Sequence, residues 1–289
     1  MAIFFQIIVN GIVLSAIYAL LSAGISFLYA TSRIFHLAHG VVALSAGYVF
    51  WWIWIGLGLS PFFAVVIAIA VAALSGYLMN GLVYEPLRRR EAKGLGYLIA
   101  TLALLTLGTA IILGLFGAAP KTFTFQSEIL DLGGVRITTF QIWLVIISAL
   151  LLSGFLFLIK KTRFGKAMRA TADNETVAEI LGIDTKKIRK LAFIYASVLA
   201  AAAGILFGLE FNLDPNRGIL LALFGFSAAV IGGTGSLGGA ITGGFIIGLG
   251  EQIIVWFLSG GWRNAIVFVA LFLFLLFKPS GIFGKKREI

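Results

Sequence analysis

The strongest constraint on this chain is a series of long apolar stretches, the first of which begins at residue 3. Residues 3–29 form 27 consecutive positions without a charged side chain. An α-helix needs roughly 20 apolar residues to cross the hydrocarbon core of a bilayer. No positive charge precedes this stretch and no small-residue cleavage pattern follows it. We therefore expect a retained membrane span here, not a signal peptide.

Composition extends this expectation to the whole chain. Of the 289 residues, 60% are hydrophobic and only 12% are charged, and the mean hydropathy is +1.06. A soluble domain carries about 25% charged residues. Lipid must therefore cover most of the surface, and segments in lipid have to satisfy their backbone hydrogen bonds internally. The chain has no cysteine, which excludes disulfides and thiolate metal sites.

Nine candidate spans can be placed along the sequence, and the last few are short or rich in glycine. They are residues 3–29, 37–58, 62–84, 97–117, 139–159, 189–210, 218–232, 239–258 and 263–277. This pattern predicts an all-α, polytopic transmembrane helical bundle of about 8–10 spans, some of them broken or re-entrant. No connection is long enough for a large soluble domain, so we expect residues 1–289 to form one transmembrane domain with a cytoplasmic loop at 160–188.

Positive charges are distributed unevenly over the two sides of this arrangement. Eighteen of the 22 Lys and Arg residues fall on one side and four on the other, namely Lys121, Arg136, Arg217 and Arg263. Lys and Arg accumulate in the cytoplasmic loops of membrane proteins. We therefore expect a multi-pass protein with a cytoplasmic C-terminus and an external N-terminus. The same asymmetry accounts for the net charge of +10 without a nucleic-acid partner.

The cytoplasmic loop contains the pattern of a short amphipathic helix. Its defining residues are two capping candidates, a first-turn acid, three apolar residues and a terminal glycine: Asp173, Asn174, Glu175, Val177, Ile180, Leu181 and Gly182. The caps and the acid suit a helix start, the apolar residues fall on one face, and the glycine suits a left-handed stop. So short a helix needs a partner. It either rests on the membrane or on its own spans, or it inserts into a groove of another protein.

Three blocks of sequence, about a third of the chain, carry a family resemblance. Residues 168–210 read MRATADNETVAEILGIDTKKIRKLAFIYASVLAAAAGILFGLE, residues 11–48 read GIVLSAIYALLSAGISFLYATSRIFHLAHGVVALSAGY, and residues 231–251 read IGGTGSLGGAITGGFIIGLGE. Together they resemble permeases of the branched-chain amino acid ABC transporter family, the last two blocks being similar to the H-type subunit. His36 stands where that family usually has Asn.

This resemblance implies a transport subunit and not an enzyme, with no catalytic residue and no cofactor of its own. It also implies that the loop helix couples the permease to ATP hydrolysis. The implied partners are two ABC ATPase subunits, a second homologous permease subunit (as a heterodimer or homodimer) and an external substrate-binding protein, in a prokaryotic inner membrane. The expected cargo is a small polar solute, a branched-chain or other amino acid. A permease for urea, amides or sugars and an ion-coupled secondary transporter are the alternatives.

Glycine is concentrated near the end of the chain. Residues 233–238 match G-x-G-x-x-G, but a dinucleotide site requires a βαβ unit around that motif, and none fits between membrane spans. Six glycines instead show the four-residue spacing of close helix packing, namely Gly204, Gly208, Gly239, Gly243, Gly244 and Gly248. We expect packing there, with a polar path along a glycine-rich break as the alternative.

Few polar side chains lie within the apolar stretches. Glu251 is the one acid clearly inside a span, where a carboxylate is costly unless it is paired, protonated or hydrated. It is a candidate for the translocation pathway, with a structural hydrogen bond between helices as the equal alternative. Weaker pathway candidates of the same kind are Asn10, Gln6 and Thr101.

The two histidines, His36 and His39, are three residues apart. A catalytic zinc ion needs three protein ligands, and no Cys, Asp or Glu lies close in the sequence to complete such a set. We therefore predict a structural role for this pair and no metal site.

Overall fold

The computed structural model describes residues 2–125, 127–258, 260–278 and 280–284, and most of them are helical. Before the cytoplasmic loop the helices are α1 (Ala2–Ser32), α2 (His39–Trp51), α3 (Pro61–Met79), α4 (Glu85–Arg89), α5 (Gly94–Phe116) and α6 (Thr139–Lys161). The loop and the segments after it form α7 (Arg163–Asp173), α8 (Glu175–Ile180), α9 (Thr185–Phe211), α10 (Arg217–Gly232), α11 (Leu237–Phe257) and α12 (Arg263–Phe277). Residues 285–289, part of the predicted cytoplasmic tail, lie outside the described residues.

Three short helical turns complete the helices. Single π-helical turns at Trp52–Gly56 and Asn80–Tyr84 follow α2 and α3, and a 3-10 turn at Gly260–Trp262 precedes α12. The second π turn joins α3 to α4 without an intervening loop. Helices α3 and α4 therefore form one continuous helical segment from Pro61 to Arg89.

The segment between α5 and α6 forms a small hairpin. Strands β1 (Ile129–Asp131) and β2 (Arg136–Thr138) pair antiparallel, with Asp131 opposite Arg136. Thr138 then caps α6 by accepting a hydrogen bond from the backbone N–H of Gln141. The connection between α5 and α6 thus contains an ordered β-hairpin.

Eight helical segments within the described residues are long and apolar enough to cross a bilayer. The one remaining predicted span, 218–232, corresponds to α10, which has only 16 residues. At 1.5 Å per residue α10 is about 24 Å long, against the roughly 30 Å of a hydrocarbon core. The predicted all-α polytopic bundle of about 8–10 spans is therefore confirmed.

The centre of the bundle is formed by α1, α2, α9 and α10, whose side chains are largely buried. The outer helices α3, α5, α6 and α12 leave many large apolar side chains exposed. Exposed Leu, Ile and Phe on that scale fit a surface that faces lipid tails.

An antiparallel pair of helices, α1 and α11, runs through this centre. Along α1, Ser15, Ser22 and Ser26 donate hydrogen bonds to backbone carbonyls of α11 that come progressively earlier in the chain, at Phe245, Ala240 and Ser236. Small residues and interhelical hydrogen bonds are the main source of helix association where no hydrophobic force acts between helices. The first and eleventh helices are therefore joined over most of their length.

Two non-helical segments run back into the bundle. After α1 ends, residues 33–38 return about two turns along it, because His39 at the start of α2 lies beside Gly24. After α9 ends, residues 212–216 also turn inward, because Gly218 near the start of α10 lies beside Val41 of α2. Non-helical backbone at this depth is tolerated where protein covers it, and here Ile34, Ala38 and Leu213 are buried.

Candidate functional site

The predicted loop helix is present as α8, and its two ends have the predicted chemistry. Asn174 is the N-cap, its side chain accepting a hydrogen bond from the backbone N–H of Val177 at 3.1 Å. Gly182 follows the helix with φ +83°. Its N–H donates to the carbonyl of Glu179 and the next N–H, of Ile183, donates to the carbonyl of Ala178. This pair of bonds is the Schellman motif, which requires a left-handed residue at the glycine position.

The face that α8 turns away from the protein is apolar. Val177, Ile180 and Leu181 are 49%, 79% and 72% exposed, whereas Ala178 on the opposite face is buried. Scattered exposed apolar residues need no explanation, but a contiguous apolar patch is typical of an interaction site. The geometry therefore provides a projecting apolar surface outside the bundle.

Ion pairs join the other face of α8 to the ends of the membrane helices. Glu175 pairs with Arg189 of α9 and, at 3.4 Å, with Arg88 of α4. Arg189 is only 3% exposed and also pairs with Glu85 at 3.5 Å. Arg88 further donates a 2.8 Å hydrogen bond to the backbone carbonyl of Ser32 at the end of α1. Four helices thus meet at this cluster of Glu85, Arg88, Glu175 and Arg189, hereafter the four-residue ion cluster.

Sequence reasoning missed three of the four members of this cluster. It identified Glu175 only as a favourable first-turn acid, and it counted the two arginines only as positive charges on one side of the membrane. The members lie as much as 104 residues apart. No local sequence pattern indicates an ion pair between residues so far apart, so these pairings could not be predicted from the sequence alone.

Helix α7 lies against the same end of the bundle. Arg33 donates to the backbone carbonyl of Ala172, and Arg169 donates to that of Ile159. Asp173, predicted as an alternative cap for α8, is instead the last residue of α7. The whole loop is therefore an ordered pair of short helices fixed to the inner ends of α1 and α6.

Thr101 and His36 hold the first non-helical segment in place. The backbone N–H of Ala38 donates to Thr101 Oγ1 at 3.1 Å. His36 Nδ1 lies 2.7 Å from Tyr84 Oη, and the Tyr84 ring stacks on Phe193. A backbone N–H at the start of a helix has no partner inside that helix. Thr101, predicted as a pathway candidate, therefore satisfies such a group at the start of α2.

Gln6 and Asn10 lie near the outer end of α1. Gln6 accepts a hydrogen bond from the backbone N–H of Arg136 at 2.8 Å and donates to its carbonyl at 2.9 Å, and it also donates to Asn10 Oδ1. Both side chains line an open cleft of ≈ 320 Å³ together with Gln252. They therefore join α1 to the external hairpin while facing this outer cleft.

Glu251 is buried in α11, where Tyr18 of α1 donates a 2.8 Å hydrogen bond to its Oε2. This bond joins α1 and α11, the two helices that the serines already connect. It is the kind of interhelical hydrogen bond that a structural role for Glu251 predicts. Tyr18 also lines a second cavity, of ≈ 200 Å³, among the outer ends of α9, α10 and α12. The Glu251 carboxylate is thus hydrogen-bonded to a residue of the cavity wall. This position is compatible with a role in the translocation pathway and with a structural role.

The six glycines with four-residue spacing lie at helix contacts. A Cβ on Gly204 would lie 1.8 Å from the carbonyl oxygen of Ala43 in α2. A Cβ on Gly243 would lie 1.9 Å from the carbonyl oxygen of Ala228 in α10, and one on Gly248 2.5 Å from Ser15 Cα in α1. The others are equally close to a neighbour, and they are Gly208, Gly239 and Gly244. Five of the six meet backbone atoms, so only hydrogen fits there, whereas Gly208 meets the end of the Leu213 side chain.

Comparison with known proteins identifies one family over nearly the whole chain. The family described as "Branched-chain amino acid transport system / permease component" matches residues 7–276. The chain is 29% identical to the high-affinity branched-chain amino acid transport system permease protein BraD of Pseudomonas aeruginosa, over 98% of this chain and 96% of that one. It is 30% identical to LivH of Escherichia coli K12, which carries the same description, over the same shares of the two chains.

A solved structure shows the same fold. The structure entitled "PsaBC from Streptococcus pneumoniae in complex with Fab" matches with a TM-score of 0.52 at 15% identity, over 94% of this chain and 91% of the matched chain. At that identity the likeness concerns the arrangement of the helices alone.

Proposed function

Because this chain belongs to the branched-chain amino acid transport system permease component family, we propose that it is the permease subunit of an ABC importer for branched-chain amino acids. The permease performs no chemistry itself, and ATP hydrolysis in separate subunits drives the cycle. The substrate class is inferred from the described roles of the relatives, BraD and LivH, which match over nearly their full lengths.

The observation that carries this proposal is the exposed apolar face of α8. An isolated helix of six residues does not hold together in water, yet α8 is capped at both ends and fixed by ion pairs to α4 and α9. Its exposed Ile180 and Leu181 suit insertion into a groove of another protein. In an ABC importer that protein is the ATPase subunit.

The partners follow from this assignment. An ABC permease of this family works with ATPase subunits, a second permease and a substrate-binding protein, all at the inner membrane of a prokaryote. The finer arrangement we propose is two ATPase subunits on the α7–α8 side, a homologous permease beside this one, and the binding protein on the hairpin side. The excess of Lys and Arg on the α7–α8 side makes that side cytoplasmic, together with the C-terminus.

The test is uptake by proteoliposomes that contain the full complex, comparing Leu181→Asp with the wild type. We expect leucine uptake to fall to near background while the complex still hydrolyses ATP, because the buried charge prevents α8 from docking. Leu95→Asp is the matched control, since Leu95 is similarly exposed at 68% but lies in the first turn of α5, outside α8. Wild-type uptake by Leu181→Asp would show that α8 is only a surface helix.

A further inference from the structure

We propose that the hydrogen bond between Tyr84 and His36 transmits movements of α8 to the start of α2, in the middle of the bundle. The inference rests on the proposed function and deepens it, because it names residues through which ATP hydrolysis reaches the membrane helices. Tyr84 Oη and His36 Nδ1 are 2.7 Å apart, and the two side chains are only 1% and 2% exposed. Breaking this bond would leave two buried polar groups without a partner, which is costly. The two residues are therefore expected to move together.

Tyr84 directly precedes the four-residue ion cluster in the chain. It is the last residue of the π turn Asn80–Tyr84, and the next residue, Glu85, begins α4. Glu85 pairs with Arg189 at 3.5 Å, and Arg189 pairs with Glu175 at the start of α8. Single π turns inside helices are frequent at functional sites. One peptide bond thus separates Tyr84 from the ion pairs that hold α8.

Residues 33–38, which contain His36, are also bonded to the loop side where they begin. Arg88 of the ion cluster donates a 2.8 Å hydrogen bond to the backbone carbonyl of Ser32, directly before this segment. Arg33 donates to the backbone carbonyl of Ala172 in α7. The beginning of the segment is thus attached to α4 and α7, and its middle is attached to the π turn through Tyr84.

The far end of the same segment leads to the point where two helix starts meet. Helix α2 begins at His39, and a Cβ on the next residue, Gly40, would lie 2.1 Å from the carbonyl oxygen of Gly218 in α10. Helix α10 follows residues 212–216, which return from the opposite end of the bundle. Discontinuous helices near the midplane form the substrate sites of many transporters. A shift of residues 33–38 therefore changes the contact between α2 and α10 at this depth.

Several groups along this route have an unfavourable conformation or lack a partner. Arg33 has φ +60°, in the left-handed region that few residues other than glycine adopt. Within the described part of the chain, three buried nitrogen atoms on the route have no hydrogen-bond partner, namely Nε2 of His36, Nε2 of His39 and Nε of Arg189. Strained backbone concentrates at switch regions, and a buried polar group that gains a partner stabilises the arrangement in which it does so. We therefore expect residues 33–38 to adopt a second arrangement during the transport cycle.

Tyr84→Phe in the complete complex tests the transmission. The substitution removes only the hydroxyl group and retains the ring that stacks on Phe193. Loss of one hydrogen bond changes an equilibrium by roughly twofold to tenfold, so we expect the ratio of leucine imported to ATP hydrolysed to fall by that factor in proteoliposomes. Tyr77→Phe is the matched control, because Tyr77 lies on the same continuous helical segment but is 41% exposed and contacts Lys190 through its ring alone. That variant should keep the wild-type ratio.

A second measurement follows the movement itself and needs no substrate. Because the chain has no cysteine, Phe35→Cys introduces a single thiol into residues 33–38, at a position that is 38% exposed. We expect a non-hydrolysable ATP analogue to change severalfold the rate at which a methanethiosulfonate reagent labels this thiol. Adding Tyr84→Phe should abolish most of that change. A labelling rate that the analogue leaves unaltered would overturn the proposed transmission.

The two proposals fail in different ways. Equal coupling ratios in Tyr84→Phe and Tyr77→Phe, in a complex that still imports leucine, would overturn the transmission through Tyr84 alone. A wild-type complex that hydrolyses ATP but imports no branched-chain amino acid would overturn the proposed function. In that case the labelling of Phe35→Cys, with and without the Tyr84 hydroxyl group, would still decide whether Tyr84 transmits the movement.

Discussion

Glu175, the first residue of α8, forms an ion pair with Arg189 of α9, whose side chain is only 3% exposed. Arg189 is also paired with Glu85, and Glu175 with Arg88. A displacement of α8 must therefore either carry α4 and α9 with it or separate charges that are partly removed from water. This relationship gives the loop helix a direct mechanical connection to the membrane helices.

Glu175→Gln should weaken that connection. Removing one charge leaves Arg189 paired with Glu85 alone, and we expect a loss of about 1–2 kcal/mol of stability after allowing for the partial exposure of Glu175. The ratio of leucine imported to ATP hydrolysed should fall in proteoliposomes, and the melting midpoint in detergent should drop. Glu91→Gln is the control, because Glu91 is an exposed acid on the same side with no ion pair among the described residues. Equal ratios in the two variants would exclude a coupling role for the four-residue ion cluster.

Gly182→Pro should uncouple ATP hydrolysis from uptake while the protein stays folded in the membrane. Proline holds φ near −65°, whereas the residue after α8 needs φ +83°. The Schellman bonds would be lost and the apolar face would change its direction. Gly182→Asn serves as the comparison, since Asn tolerates a left-handed backbone better than other non-glycine residues. Uptake should follow the order wild type, then Asn, then Pro, and full activity of the proline variant would contradict the assignment.

Gly204→Ala should destabilise the bundle. The added methyl would lie 1.8 Å from the carbonyl oxygen of Ala43, so α2 and α9 must separate. Overpacking of this kind costs about 1–3 kcal/mol or more. Gly154→Ala in α6 has nothing within 4 Å of the added Cβ and should be neutral or slightly stabilising. Thermal unfolding in detergent of the two variants measures the difference directly.

Glu251→Gln should reduce leucine uptake more than it reduces the amount of protein in the membrane. The amide keeps an oxygen for the Tyr18 hydroxyl, so the α1–α11 contact is retained while the charge behind the cavity is lost. Glu210→Gln is the comparison, because Glu210 is also on a central helix but accepts a 2.7 Å hydrogen bond from Gln141 and does not itself line the cavity. Wild-type uptake in the Glu251 variant would return this residue to a purely structural role.

Much of the fold could be predicted because lipid imposes simple rules on the sequence. Apolar length marks the spans, and the caps of α8 depend on neighbouring residues, so both Asn174 and Gly182 could be assigned from local pattern. The position of helix α10 was harder to predict, because its apolar stretch resembles a short membrane span. Its inward start depends on Leu213 packing between Gly47 and Gly208, a tertiary contact that no local pattern reports.

The polar candidates show the same limit. Thr101 and Gln6 were selected because they are polar within apolar stretches, but the structure gives them backbone partners at Ala38 and Arg136. Arg217 was counted only as an external charge. Its position over Phe207 and in the cavity wall depends on the return of residues 212–216 into the bundle. Sequence identifies polar residues in spans but not the groups that they meet.

The antiparallel contact of α1 and α11 has a consequence for how the chain is made. Ser22 and the carbonyl of Ala240 are 218 residues apart, so α1 leaves the ribosome long before its partner α11 is synthesised. At roughly 5–20 residues per second that wait is on the order of 10–40 s. During this time α1 stands in the bilayer with the hydroxyls of Ser15, Ser22 and Ser26 without their final acceptors. Biogenesis of this permease therefore includes a late closure, in which α11 pairs with a helix that was synthesised long before it.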